Sequence, residues 1–123
     1  MTRNAFRAAF AFLLVLIVYL SVVPPALRPV TPLPHDVEHL AIFAIAGVLL
    51  GLAFPGRPLA RALPFIPFIV AIEFAQLWVP GRHARLSDLA INVAGACVGL
   101  GLSFLAWKLA PVAEPEVRPD GTA

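Results

Sequence analysis

Seven residues able to do acid–base, anion-binding or hydrogen-bonding chemistry interrupt or border apolar stretches of this chain: Asp36, His39, Glu73, Gln76, Arg85, Asp88 and Asn92. Six of them form pairs. Asp36/His39 and Glu73/Gln76 are three residues apart and Asp88/Asn92 four, so each pair shares one face of a helix. Ionisable groups at membrane depth are costly, so they face a bundle interior, find partners and mark sites. His39, Glu73 and Asp88 are the candidate general acids and bases. Arg82 and Arg85 carry guanidinium groups suited to a two-point grip on phosphate or carboxylate, with Asp88 and Asn92 placed to orient a ligand or those arginines. Asp36, His39, Glu73 and Asp88 could instead offer oxygen and nitrogen ligands to a divalent metal. No spacing among them is diagnostic of a metal, and no nucleophile motif or glycine-rich phosphate loop occurs, so no metal or cofactor is expected.

The surrounding chain explains why these residues stand out. Of 123 residues, 60% are hydrophobic and only 13% charged, against about 45–50% and about 25% in a typical soluble domain. This excess fits a bilayer. The net charge is +2, with no basic run or stripe, which argues against nucleic acid as a partner. The single Cys97 excludes an internal disulfide and reads as a small packing residue in an apolar run.

Four apolar runs cover residues 8–23, 39–54, 63–79 and 87–107, separated by Pro-Pro or Pro-Gly stops. Each approaches the length of about 20 residues that crosses a bilayer. The expected fold is all-α, a membrane domain over residues 1–110 with four transmembrane helices and short loops. The polar, proline-rich residues 111–123 are expected to form a disordered cytoplasmic tail. Pro64 and Pro67 fall in the expected first turn or so of the third helix, where a missing amide donor costs least. The first run is expected to stay in the chain, because no small-x-small cleavage site follows it.

Lysine and arginine in the loops set the expected orientation. With the N-terminus inside, Arg3, Arg7, Arg57, Arg61, Lys108 and Arg118 lie inside, and Arg28, Arg82 and Arg85 outside. Both termini are therefore expected to be cytoplasmic, with Trp78 and Trp107 at opposite interfaces. This topology places all three polar pairs in the outer third of the bilayer, beneath the loop 80–86. Gly47-x-x-x-Gly51 and Gly95-x-x-x-Gly99 would let helices 2 and 4 approach closely below them.

The ordered set Asp36-x-x-His39-x-x-x-Phe43, Glu73-x-x-Gln76 and Arg82-x-x-Arg85-Leu86-Ser87-Asp88-x-x-x-Asn92-x-x-Gly95 resembles the VanZ-like family over about residues 36–99. Family members commonly carry a lysine after the first aspartate, where this chain has Val37, and the segment of the family's loop arginine offers both Arg82 and Arg85. The resemblance implies a small multi-span protein of a bacterial plasma membrane. The founding member is associated with low-level resistance to the glycopeptide teicoplanin. The expected partners are membrane lipid and a lipid-linked or glycopeptide-related ligand held by Asp36, His39, Glu73, Gln76, Arg82, Arg85, Asp88 and Asn92. Two other readings stand beside binding: acid–base catalysis on a lipid-linked phosphate, and polar groups that only hold the helices together.

Overall fold

A computed structural model describes residues 2–27 and 29–109. Arg28, Arg118 and the expected tail 111–123 lie outside the described residues. The chain forms four long helices: α1 (Arg3–Val22), α2 (His35–Ala53), α3 (Pro58–Ala75) and α4 (Leu86–Leu109). All four are long and apolar enough to cross a membrane, the third when continued through Trp78. The expected all-helical, multi-pass architecture is therefore present.

Every helix begins earlier than its apolar run. Thr2 caps α1, its hydroxyl accepting from the Ala5 amide. Asp36 and Glu38 occupy the first turn of α2, where the helix dipole favours negative charge. Pro58 opens α3 at a position where its missing amide costs nothing. Apolarity alone misses such starts, because polar first turns belong to the helix and to the interface. The consequence for α3 is a correction. Pro64 and Pro67 lie inside the helix, not in its first turn. Each removes one bond, to the carbonyls of Ala60 and Leu63, a loss that membrane helices tolerate where neighbouring groups re-satisfy the backbone.

The centre of the bundle is the parallel pair α2 and α4. A Cβ on Gly47 would lie 2.5 Å from the Ala96 carbonyl, and one on Gly95 would lie 2.5 Å from the Leu40 carbonyl. A Cβ on Gly99 would overlap the Ala44 carbonyl, and one on Gly51 the Ser103 side chain. The two backbones are in van der Waals contact, which only glycine permits. Around this seam pack Ile17, Phe43, Leu50, Phe65, Ile69, Ile72 and Leu100. Phe10 and Phe43 meet Phe65 with ring centroids 5.9 and 6.5 Å apart. This layer makes the middle of the bundle apolar.

The outward surface is apolar too: Phe12, Val15, Leu63, Phe74, Leu102 and Leu105 are all exposed. In water such a surface would be an aggregation hazard; in lipid it is the solvated face. Trp78 and Trp107 are exposed at opposite ends, as interfacial anchors should be. Cys97 also faces outward and is not part of the packed interior, in contrast to the packing role expected for it. It lies next to Ala96 and two before Gly99, whose side of the helix is taken by the α2 seam.

Candidate functional site

The polar residues collect at one end of the bundle, where α1 and α3 end and α2 and α4 begin. Three contacts join the helices there. His39 Nδ1 and Asn92 Oδ1 are 2.9 Å apart, the imidazole donating, and Asn92 is fully buried. His35 Nε2 and Asp88 Oδ2 are 3.3 Å apart, while the Ser87 hydroxyl donates to Asp88 Oδ1 at 3.1 Å. Both contacts run between the first turns of α2 and α4, so the glycine seam below holds their donors and acceptors in register.

The third contact ties down the loop between α3 and α4. Glu73 Oε1 accepts the Arg85 amide at 3.0 Å. Glu73 itself is buried, and its Oε2 has no hydrogen-bond partner among the described residues. A buried, unmatched carboxylate oxygen is costly, so it requires an explanation. Arg82 stakes the same loop at its other end. Its guanidinium donates to the carbonyls of Leu20 at 2.5 Å and Val23 at 3.1 and 3.3 Å. Those carbonyls close α1, so Arg82 satisfies orphan acceptors and places its charge at the negative end of the helix dipole. Gly81, at φ +79°, makes the turn that this anchoring requires. Helix 1, which has no polar pair of its own, thus takes part through its last carbonyls.

The anchored loop roofs a cleft of about 410 Å³ lined by His35, Asp36, Gln76, Arg82, His83, Arg85 and Asp88, with Pro25 and Gly81. Arg85 is exposed, and no acceptor among the described residues holds its guanidinium. A smaller space of about 210 Å³ opens between α1 and α2, lined by Ile17, Leu20, Glu38, His39, Phe43 and Arg82 among others. Arg82 borders both spaces.

Of the eight expected site residues, Asp36, Gln76, Arg82, Arg85 and Asp88 line the larger cleft. Asn92 is buried beneath it against His39, which lines the smaller space. Glu73 lines neither and acts on the loop from below. Asp36 and His39, paired by spacing, border different spaces. The candidate acid–base groups His39 and Glu73 therefore do not meet in either of these two spaces. Among the described residues, no three His, Cys, Asp or Glu side chains converge as a metal site.

His35 is the residue that motif reading missed. Its ring lies 4.2 Å from that of His39, and it bridges to Asp88. The signal was available in the spacing His35-x-x-x-His39, which puts both rings on one face of α2. His83, in the loop between α3 and α4, is exposed and also borders the cleft.

A family model described as VanZ/LLP1 matches residues 3–107. The match takes in all four helices, α1 included. No curated protein and no solved structure matches the chain.

Proposed function

The chain belongs to the VanZ-like family, and from that premise we propose that this multi-pass membrane protein binds the phosphate-bearing headgroup of an anionic or polyprenyl-linked lipid in the cleft beneath loop 80–85. Arg85 contacts the phosphate, His35 and His83 border it, and Asp88 orients His35. Arg82 and Glu73 position the loop. The observation that carries this reading is the Arg85 residue itself: its amide is fixed by Glu73 while its guanidinium is left to the cleft. Guanidinium is the side chain best matched to phosphate oxygens, and a fixed backbone lowers the ordering cost of the grip.

The cleft faces the outer leaflet in this proposal. Arg3, Arg7, Arg57, Arg61 and Lys108 lie at the opposite end, which loop-charge bias assigns to the cytoplasm. An outward site that holds a lipid-linked cell-wall precursor would fit the association of the family's founding member with glycopeptide resistance. Binding is favoured over acid–base catalysis because His39 and Glu73 do not meet in either space described above. The test is to purify the protein in native lipid and identify what accompanies it. Wild type should retain a phosphate-bearing lipid that Arg85→Ala loses. Retention of the same lipids by both would refute the assignment.

A further inference from the structure

We propose a second, separate site at the opposite end of the bundle, which holds the headgroup of an anionic phospholipid. It rests on the membrane-spanning fold and not on the ligand of the cleft. A cavity of about 670 Å³ lies between the start of α1, the α2–α3 turn and the end of α4. Its charged lining is Arg3, Arg57 and Arg61, and among the described residues no carboxylate borders it. All four described carboxylates, Asp36, Glu38, Glu73 and Asp88, belong to the other end. The remaining walls include Leu52, Leu59, Phe104 and Trp107. Basic pockets between membrane helices at this level recognise phosphorylated lipid headgroups.

Arg61 gives the cavity its centre. Its guanidinium donates to the Gly56 carbonyl, and Nη1 lies against the bare backbone of Gly51, 3.3 Å from where a Cβ would stand. Its Nε is buried with no acceptor among the described residues. A buried guanidinium N–H without an acceptor is costly, and a phosphate oxygen would satisfy it. Other cations at this end are engaged differently. Arg7 donates to the Ala53 carbonyl at 3.3 Å and covers the Phe54 ring, and Lys108 lies over the Phe104 ring at 5.1 Å. Neither lines the cavity. The volume exceeds what a phosphate alone fills, and the apolar walls suit the glycerol and upper acyl carbons of a lipid. That combination of charge and apolar wall selects a phospholipid over a free phosphate.

The experiment is native mass spectrometry of the full chain in detergent, titrated with phosphatidylglycerol and, separately, with phosphatidylcholine. Wild type should retain phosphatidylglycerol preferentially. Arg61→Gln should weaken that retention about tenfold or more, the scale of a lost charge-assisted hydrogen bond. Arg57→Ala, on an exposed side chain, tests the site should the Arg61 variant fold poorly, and should weaken retention in the same direction. Lys108→Ala removes one charge from the same end outside the cavity and should have less effect than either. Equal effects of all three variants would mean general surface attraction and would overturn the site. Full competition by glycerol phosphate would show that the walls contribute nothing and would overturn the lipid assignment. So would retention that appears only after residues 111–123, with Glu114, Glu116 and Asp120, are removed, since the chain itself would then be the occupant. The loss caused by Arg61→Gln should persist in an Arg85→Ala background, which removes the cleft's own contact and so separates this site from the cleft.

Discussion

Glu73 Oε1 accepts the backbone amide of Arg85 at 3.0 Å, joining a buried carboxylate in α3 to the residue just before α4. The bond spans 12 positions in sequence and fixes the loop from beneath. It sets the direction in which the Arg85 side chain leaves the backbone. Glu73 is thus a positioning residue.

Glu73→Gln keeps a carbonyl oxygen where Glu73 has Oε1, and Glu73→Ala does not. The alanine variant should expose loop 80–85 to limited proteolysis and lower the thermal midpoint, a cost of about 1–3 kcal/mol for the lost part-buried hydrogen bond to a carboxylate. The glutamine variant should stay close to wild type in the proteolysis assay. Equal loop exposure in both would mean that the Glu73–Arg85 bond does not hold the loop.

Arg82 should matter more for stability than for ligand contact. Arg82→Ala leaves the Leu20 and Val23 carbonyls without their donor. Hydrogen exchange should rise in the last turn of α1, with a loss of about 1–3 kcal/mol. Arg82→Lys should recover only part of it, because an ammonium lacks the planar fork that reaches both carbonyls. Unchanged exchange in α1 would remove Arg82 from the capping role.

The His39–Asn92 bond should couple the two central helices weakly. A double-mutant cycle of His39→Ala and Asn92→Ala should return about 0.6 kcal/mol, and no more than about 1.7, the range seen for interhelical hydrogen bonds in membranes. The glycine seam below carries the larger share of the α2–α4 association. A coupling near zero would mean that the 2.9 Å contact is not maintained in lipid.

Orientation is testable apart from chemistry. In a Cys97→Ser background, a cysteine replacing His83 should react with a membrane-impermeant thiol reagent added outside intact cells, and one replacing Arg57 should not. The reverse pattern would place the cleft inside and remove the outer-leaflet assignment.

Much of this arrangement was legible in the sequence because lipid leaves few alternatives. Four apolar runs with proline stops could only be spans, and polar residues at helical spacing had to meet within the bundle. The glycine repeats foretold the α2–α4 contact, since Gly95 and Gly99 continue the stripe begun by Asn92. The first turns of α2 and α3, with Asp36, Glu38 and Arg61, lie outside the apolar runs because helices place polar residues at their interfacial ends. The roles of the arginines were not legible. Arg82 and Arg85 are equivalent as residue types and three apart, and only the path of the loop sends one to the carbonyls of α1 and the other to the cleft. The Glu73–Arg85 bond uses a main-chain donor, which no side-chain motif announces.

The proposed contact of Arg85 with a lipid-borne phosphate is open to direct measurement. Its most direct test is a titration of polyprenyl monophosphate into the protein held in phosphatidylcholine nanodiscs, with Arg85→Ala alongside. Wild type should bind saturably, and the variant's affinity should be about tenfold or more weaker, the loss expected for a charged hydrogen bond. Equal affinities, with both proteins folded, would contradict it.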